Sequence, residues 1–384
     1  MGSQTNQKSW DVIIVGAGII GMSIAWKLAQ KKLEVLVLER NEPGREASYA
    51  SAGMLAPYTE AEEDTPLLRL AIASREIYPA FLREIESETG MSVNYRDEGA
   101  LFLALGEHEA KALVSRFEWQ RKMGFAVERL QGRELLGAEP ALSPSIPLAL
   151  FYPGDHQLDN RAWLAVLYTA LKNRGVEIRT GTSVHRLTHE GGRVVGVEAQ
   201  GKKFSTGVTV LAAGAWSPEI DTGTGESIPV YPTRGQIVAV KSPQSGSGGH
   251  ALLRHTLRYE GGYVAVFPEG RLLLGGTMED VGYSKTNTVD AMQRILARAI
   301  DFAPPIASCE FVEAWSGLRP NTRDHFPILG RSSCEGLVYA TGHFRNGILL
   351  TPITATAISD LIANGQTTVD LAPFSVERFQ LKEK

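Results

Sequence analysis

Residues 11–21 read DVIIVGAGIIG, an apolar run rich in β-branched residues that leads into the pattern G-x-G-x-x-G. The run has the length of a buried strand, and apolar residues then recur at helical spacing as far as Leu28. A second apolar run at residues 33–38 ends in Glu39. A strand, a glycine-rich turn, a helix, a second strand and a terminal acid in this order predict a βαβ unit that binds a dinucleotide.

The residues of this unit each have a physical role. Gly16 permits the tight turn, Gly18 lets the backbone approach a pyrophosphate, and Gly21 lets the helix pack closely on the strand. The helix N-terminus directs free N–H groups and the positive end of its dipole toward the phosphates. Glu39 is placed to accept a hydrogen bond from a ribose hydroxyl, and its charge opposes a 2′-phosphate beside Arg40. An ordinary βαβ unit without a ligand is the alternative, and the agreement of all these features argues against it.

The composition narrows the class of protein. The chain has 384 residues, enough for two domains, with 39 basic and 43 acidic residues and a net charge of −4. No basic stripe indicates nucleic acid or a membrane surface, and no apolar run reaches the roughly 20 residues that span a bilayer. Residues 1–7 lack the apolar core of a signal peptide and are expected to be a disordered leader. Cys309 and Cys334 form no C-x-x-C pair and the histidines show no metal-ligand spacing, which indicates reduced thiols in a cytoplasm and no metal site.

The other apolar patterns predict further helices and strands. Helices are expected at 66–89, 107–123, 289–302 and 353–364, and one that Asn160 caps and Gly175 ends. Strands are expected at 99–105, 176–179, 183–187, 194–199, 203–205, 208–211, 235–240, 252–259, 262–267, 271–276, 310–315 and 336–341. The stretch 44–55 is either a ligand-binding loop or a plain surface loop, and 244–249 is expected to be a surface loop.

Five motifs resemble those of the flavin-dependent D-amino acid oxidase superfamily, and within it the glycine oxidases of bacterial thiamine synthesis. They are GAGIIG at 16–21 with the pair at 39–40, ASAGML at 50–55, AGAWS at 213–217, WSGLRP at 315–320 and GHFRNGIL at 342–349. The last is the most specific for glycine oxidases. The likeness covers nearly the whole chain, from residue 11 to about residue 350.

The resemblance implies an α/β (α+β) fold and FAD rather than NAD. It implies a split Rossmann-like FAD-binding domain made of residues 8–90, 153–227 and 315–380, and a β-rich substrate domain made of residues 91–152 and 228–314. Besides the glycines at 16, 18 and 21, the positions carried over as FAD contacts are Ile19, Ile20, Glu39, Arg40, Ala47, Ser48, Ala52, Gly53, Met54, Val184, Gly214, His343, Phe344, Arg345, Asn346, Gly347, Ile348 and Leu349.

Monomeric sarcosine oxidases, which are relatives of this family, tether flavin through a cysteine shortly after the corresponding G-x-R. Residues 319–322 read RPNT in this chain, without a cysteine. We therefore expect non-covalent FAD.

Three residues match the substrate contacts of the family: Arg319, Arg345 and Tyr263. A guanidinium forks onto a carboxylate, so Arg319 is expected to hold that group of the substrate; a structural ion pair is the alternative. Tyr263 would add a hydroxyl, although a strand tyrosine also occurs as packing. The backbone carbonyl of Arg345 or Phe344 would accept from the amine, and His343 is given no acid–base role. Met54, Arg258 and Tyr259 are further candidates for the pocket lining.

The resemblance implies oxidation of glycine and other small amines (sarcosine, D-alanine, D-proline) to the imino acid and then the 2-oxo acid and ammonia. Dioxygen would be reduced to hydrogen peroxide, and the product would supply the thiazole branch of thiamine synthesis. A homotetramer is also implied. Three alternatives stay open: a D-amino acid dehydrogenase that reduces a quinone, a flavin-bearing protein without turnover, and an NAD-dependent dehydrogenase.

Overall fold

The computed structural model describes residues 8–243 and 251–380. The expected leader at 1–7 and the expected surface loop at 244–249 lie outside the described residues.

The described chain alternates between strands and helices. In chain order the strands are β1 (Ser9–Val15), β2 (Val35–Leu38), β3 (Met54–Leu55), β4 (Tyr95–Arg96), β5 (Ala100–Ala104), β6 (Glu128–Leu130), β7 (Leu148–Tyr152), β8 (His156–Leu158), β9 (Glu177–Arg179), β10 (Val184–Glu190), β11 (Arg193–Ala199), β12 (Lys202–Leu211), β13 (Val230–Lys241), β14 (Thr256–Tyr259), β15 (Gly262–Val266), β16 (Arg271–Gly275), β17 (Glu310–Thr322), β18 (Ile328–Arg331) and β19 (Leu337–Thr341). The α-helices are α1 (Ile19–Gln30), α2 (Ala47–Ala50), α3 (Pro66–Thr89), α4 (Glu107–Lys122), α5 (Gly132–Ala138), α6 (Asn160–Asn173), α7 (Val289–Phe302) and α8 (Thr351–Asn364). Short 3₁₀ helices lie at Gly214–Glu219, Pro268–Gly270, Pro304–Ser308, Ala372–Phe374 and Val376–Phe379.

The first sheet has β1 near its centre. Strands β2 and β9 lie on one side of β1, and β12 and β19 lie on the other, all parallel. The chain order therefore reverses between β1 and β12, and ligands of open α/β sheets bind beyond the carboxyl ends of strands at such a point. The antiparallel strands β10, β11 and β18 complete this sheet.

Helices cover one face of the first sheet. Helix α1 contacts α6 and α8, and α3 contacts the same two helices. Their apolar faces and that side of the sheet form one core, which includes the buried side chains of Ile14, Trp26, Phe81, Trp163 and Ile358. This packing fixes the position of α1, and with it the glycine-rich turn that precedes it.

The second sheet is largely antiparallel and runs in the order β17-β13-β16-β15-β14-β5-β7-β6. Helix α7 packs against it through Ile295, Ala299 and Phe302. A small third sheet joins β3, β8 and β4. The side chain of Gln157 on β8 bonds Val266 and Thr256 of the second sheet, so the small sheet is tied to the large one.

Several local predictions differ from the structure; for example, the strand expected at 252–259 is the shorter β14, Thr256–Tyr259. Three of the differences have a clear physical reason. The separate strands expected at 203–205 and 208–211 are one strand, β12, because Gly207 continues the extended chain between β11 and β1. Strand β17 continues beyond Trp315 to Thr322; Pro320 is tolerated because β17 is an edge strand that pairs with β13 on one side. Helix α6 is capped by the carboxylate of Asp159, not by Asn160.

The two large sheets draw on different parts of the chain. Strands of the first come from 9–38, 177–211 and 328–341, and those of the second come from 100–152 and 230–322. We propose a division into two domains along these lines, with the ranges given above. The proposed boundary at residue 315 falls inside β17.

Candidate cofactor and substrate site

A cavity of about 380 Å³ lies at the carboxyl end of β1 and is lined by residues of both large sheets. It brings together every residue that the sequence nominated for the site except Gly21. The nominated residues that line it are Gly16, Gly18, Ile19, Ile20, Glu39, Arg40, Ala47, Ser48, Ala52, Gly53, Met54, Val184, Gly214, Tyr263, Arg319, His343, Phe344, Arg345, Asn346, Gly347, Ile348 and Leu349. Arg258 and Tyr259 line it as well.

The glycine-rich turn has the geometry that close approach requires. Gly16 has a φ of 106°, and a Cβ there would lie 2.5 Å from the carbonyl oxygen of Ala212. A Cβ on Gly21 would lie 2.0 Å from the carbonyl oxygen of Gly16, so this glycine lets α1 pack against the turn and has no place in the cavity wall. At Gly18 a Cβ would meet only the Oγ of Ser48, at 3.5 Å, which leaves this position open toward the cavity.

The residues around α1 fit a dinucleotide. The helix begins without a side-chain cap and without an acid in its first turn, so its N-terminus can receive an anion. Ser48 accepts a hydrogen bond from the N–H of Ile19 at 3.0 Å. Glu39 lies at the cavity wall, where its carboxylate accepts from the N–H groups of Ala17 at 2.8 Å and Asn41 at 2.9 Å.

Arg40 forms part of a stack at this end of the cavity. Its guanidinium lies 3.7 Å from the centroid of the Trp216 ring and forms an ion pair with Glu46 at 3.2 Å. Tyr283 also stacks on Trp216, at 5.7 Å between ring centroids. Sequence reasoning noticed the turn that carries Trp216 but did not nominate Trp216 or Glu46. Long-range stacking leaves no periodic signal in a sequence.

The segment 47–55 is built into the site and is not a plain surface loop. It contains α2 and β3, and Ala52 is buried. The side-chain amide of Asn160 donates to the carbonyl oxygens of Ser48 at 2.8 Å and Tyr49 at 3.2 Å. Asn160 therefore supports the cavity wall, a role that the sequence pattern of α6 did not indicate.

Arg319 is a partly buried cation at the opposite end of the cavity. Glycines make room for it, since a Cβ on Gly235 or Gly276 would lie 2.3 Å or 3.1 Å from its Nη2. Its Nη1 donates to the carbonyl oxygen of Thr277 at 2.9 Å, and among the described residues no carboxylate lies within 4.0 Å of the guanidinium. Burial lowers the pKa of Arg319, yet an arginine side chain remains protonated. A partly buried guanidinium that has no carboxylate within hydrogen-bond reach favours an anionic ligand.

Tyr263 lies beside Arg319. Its ring packs against Gly275, where a Cβ would lie 2.5 Å from the ring carbon that bears the hydroxyl. Burial raises the pKa of Tyr263, so its hydroxyl stays protonated at neutral pH and can donate a hydrogen bond.

The turn at 342–349 is held from several sides. Phe344 donates its N–H to the carbonyl oxygen of Pro320 at 2.8 Å. The hydroxyls of Tyr78 and Ser74 on α3 donate to the carbonyl oxygens of Ile348 at 2.9 Å and Leu349 at 2.6 Å. These bonds fix the backbone between β19 and α8 and explain why the turn can act as a rigid wall.

His343 lies in this wall as a neutral side chain. Its Nε2 is 3.2 Å from the Oγ1 of Thr354, and burial lowers its pKa to about 3. A histidine with this pKa stays uncharged at neutral pH. The sequence analysis gave His343 no acid–base role, and this environment provides no reason to assign one.

Glu60 is a further site residue that the sequence analysis missed. Its Oε1 lies 2.8 Å from Nη1 of Arg258, and its Oε2 lies 2.9 Å from Nη2 of Arg345. Burial raises the pKa of Glu60, but the guanidinium groups of Arg258 and Arg345 more than reverse this, so the net pKa is below the ordinary value. The two arginines lie about 200 and nearly 300 positions further along the chain, so no local pattern could have revealed the cluster.

Asp155 holds the backbone next to Glu60. Its carboxylate accepts from the N–H groups of Tyr58 at 2.9 Å and Thr59 at 2.8 Å. Asp155 is fully buried, and burial raises its pKa to about 6. The position of Glu60 thus depends on a second buried carboxyl.

In the part of the chain that the structure describes, no group of three or more histidine, cysteine, aspartate and glutamate side chains could hold a metal ion. No helix there combines the length and the apolar character needed to cross a membrane.

Comparison with known proteins gives consistent results. The family model described as DAO, FAD dependent oxidoreductase, matches residues 11–361. The chain is 34% identical over 372 residues to the glycine oxidase of Geobacillus kaustophilus. This alignment covers 96% of this chain and 97% of that protein. It is 35% identical over 370 residues to the bifunctional protein ThiO/ThiG of Trichormus variabilis, covering 96% of this chain and 55% of that longer protein.

The fold agrees with a solved structure of the same kind. The crystal structure of the Geobacillus kaustophilus glycine oxidase superposes with a TM-score of 0.91 at 34% identity, covering 96% of this chain and 99% of that one. The predicted α/β fold and the predicted use of FAD are thereby confirmed. The chain belongs to the DAO family of FAD-dependent oxidoreductases.

Proposed function

We propose that the protein is an oxidase of glycine and small amines or D-amino acids. The observation that carries this proposal is Arg319, a partly buried guanidinium at the cavity with no carboxylate within 4.0 Å among the described residues. An α-carboxylate supplies the missing charge and matches the forked geometry of the side chain. The names of the similar glycine oxidases support the substrate class.

One set of cavity residues would bind the cofactor and another would bind the substrate. The dinucleotide would be held non-covalently by the turn at 16–20, by Glu39 and Arg40, by residues 47–54, by Val184 and Gly214, and by the backbone of 343–349. FAD supplies the acceptor for the two electrons that leave the amine, and dioxygen takes them up with two protons to give hydrogen peroxide. The imino acid then adds water to give the 2-oxo acid and ammonia.

The protein itself orients the substrate. Arg319 binds one carboxylate, and the neutral hydroxyl of Tyr263 donates to the same group. A backbone carbonyl of Phe344 or Arg345 accepts from the amine, which leaves the Cα–H bond directed at the cofactor. The N-terminus of α8 begins close behind this turn without an acid in its first turn, and adds positive potential there.

Three further proposals come with this function. The product supplies the thiazole branch of thiamine synthesis, the enzyme works in the cytoplasm, and it assembles as a homotetramer. Each of them rests on the resemblance to glycine oxidases or on the composition.

Oxygen uptake with peroxide detection tests the proposal across glycine, sarcosine, D-alanine, D-proline and the L-enantiomers. We expect uptake with glycine and at least one other small amine, with peroxide formed in equal amount. Cofactor reduction by these amines without oxygen uptake would instead favour a dehydrogenase that passes electrons to a quinone. No reaction with any amine would reject both functions.

A further inference from the structure

A loop of the second sheet reaches the part of the cavity that Arg40 lines. We call this loop the clasp; it consists of residues 277–288, between β16 and α7. Near its start, Glu279 bonds Arg234 of β13 through both backbone groups, and the Nε of Arg234 donates to the Glu279 carboxylate at 2.5 Å. At its end, the N–H of Thr288 donates to the side chain of Gln236 at 2.8 Å. Both ends of the clasp are therefore fixed to the second sheet.

The middle of the clasp contacts connections of the first sheet. Tyr283 stacks on Trp216, and its hydroxyl donates to the carbonyl oxygen of Ala215 at 3.1 Å. Lys285 forms an ion pair with Glu46, and its Nζ lies 5.5 Å from the centroid of the Trp216 ring. The tryptophan follows β12 and the glutamate precedes α2, so the clasp bridges from one large sheet to the surroundings of the other.

This region of the cavity wall has two layers. Arg40, Glu46 and Trp216 line the cavity, whereas neither Tyr283 nor Lys285 is among the described residues that line it. The guanidinium of Arg40 is held on the Trp216 ring and by Glu46. The inner layer thus comes from the first sheet, and the clasp supports it from behind.

The inner layer lies where the adenosine part of FAD would bind. Arg40 directly follows Glu39, the acid at the position that accepts from the adenosine ribose in such βαβ units. A guanidinium plane can stack on a purine base, so Arg40 is suited to contact the adenine of FAD. The support of Arg40 by Trp216 would then determine how well this contact is made.

We propose that the clasp, acting through Tyr283 and Trp216, holds Arg40 against the adenosine part of FAD and thereby slows the release of the cofactor. Arg40 makes the contact, and Tyr283 and Trp216 are positioning residues. The inference goes beyond the proposed function, since it concerns the retention of FAD and holds whichever amine is oxidised.

Release of FAD from the loaded protein tests the role of Tyr283 without any turnover. The protein is diluted, and the rise of flavin fluorescence gives the release rate. Tyr283→Leu removes the stacking ring and should raise this rate about fivefold or more. Tyr283→Phe keeps the ring and loses only the bond to Ala215, so its rate should stay within about twofold of the wild type. Phe311→Leu makes the matched change at a 59% exposed position outside the cavity and should leave the rate unchanged.

Two spectroscopic signals separate this role from a general loss of structure. Far-UV circular dichroism should stay constant while Tyr283→Leu releases FAD, and the absorbance spectrum of the flavin still bound should match that of the wild type. A release rate within about twofold of the wild type, or release that accompanies a loss of circular dichroism, would overturn the inference.

A double variant tests whether Tyr283 acts through Trp216. Trp216→Leu should raise the release rate about tenfold or more, because Arg40 loses its support. Adding Tyr283→Leu to it should change the rate by less than about twofold, since the partner of the tyrosine is already gone. Effects that multiply would show two independent contributions and contradict the proposed route. If Trp216→Leu does not fold, the comparison of Tyr283→Leu with Tyr283→Phe still decides, because Tyr283 is 42% exposed and its replacement removes little buried surface.

Discussion

Arg319 is a positively charged, partly buried side chain that lines the cavity. Replacement by methionine keeps most of the volume but removes the donors for a substrate carboxylate. We expect Arg319→Met to lower kcat/KM for glycine by roughly 10²-fold, equivalent to about 3 kcal/mol for lost charge-assisted hydrogen bonds. FAD content, measured by absorbance after purification, should stay near one per chain. Arg294→Met, which replaces an arginine on the exposed surface, serves as the control. A kcat/KM for glycine that differs less than threefold between the two variants would exclude this role of Arg319.

Single residues differed in how far the sequence could reveal them. Arg319 could be nominated because it stands in a family motif, and Tyr263 because it matches the active-site tyrosine of the family. The structure places both at the cavity. Glu60 could not, since its significance comes from ion pairs with Arg258 and Arg345, which arrive from other strands and turns. Motifs encode local geometry, whereas a charge cluster is created by the fold.

At the scale of elements, two glycines of the glycine-rich turn have different roles: Gly21 is needed for the stability of the fold and Gly18 for the binding of FAD. Gly21→Ala places a methyl 2.0 Å from the carbonyl oxygen of Gly16 and should destabilise the protein by about 2–3 kcal/mol through overpacking. Gly18→Ala has space in the protein itself, where the nearest atom is the Oγ of Ser48 at 3.5 Å. It should leave the melting temperature of the FAD-free protein unchanged and weaken FAD binding about tenfold or more, since the methyl occupies the approach to the pyrophosphate. Equal effects of the two alanines on both measurements would contradict this division.

Asp155, which holds the backbone next to Glu60, makes the free energy of unfolding depend on pH. Burial raises the pKa of Asp155 from 3.8 to about 6 in the folded protein. The folded state therefore binds more protons than the unfolded state between these values, so the contribution of this carboxyl to stability is full below about pH 4 and is lost as the pH rises through about 6. Asp155→Asn cannot ionise. The free energy of unfolding of the wild type relative to this variant should fall by about 2 kcal/mol between about pH 4.5 and about pH 7.5.

Denaturant unfolding of both proteins at the two pH values measures this difference. A parallel pH dependence of wild type and variant would show that Asp155 titrates at its ordinary value.

Elements with a strong periodic pattern could be predicted closely, and those defined by partners could not. Helices α3 and α7 have the bounds that apolar spacing predicted, 66–89 and 289–302. Strand β17 was expected to end near Trp315, but it continues to Thr322. Proline normally interrupts a sheet, and Pro320 is accommodated because β17 lies at the edge of its sheet, which the sequence does not reveal. Strand β7 was not predicted at all, although it pairs with both β5 and β6.

At the scale of the whole molecule, the two sheets place the glycine-rich turn and Arg319 at one cavity, away from both thiols. Cys309 packs against the core of the second sheet, and the sulfur of Cys334 lies 3.3 Å from the carbonyl oxygen of Gly192; neither lines the cavity. We therefore expect acid precipitation to release all flavin into the supernatant. Yellow colour that stays with the precipitated chain, confirmed by a mass increase of an FAD-linked peptide, would contradict non-covalent binding.

The most direct test of the proposed oxidase adds one equivalent of glycine to the FAD-loaded protein without air and then admits oxygen. We predict that the flavin absorbance bleaches with glycine and returns with oxygen, with one hydrogen peroxide formed for each glycine consumed. Flavin that no small amine bleaches, or that stays bleached in air until a quinone is added, would contradict the claim that this chain is an amine oxidase.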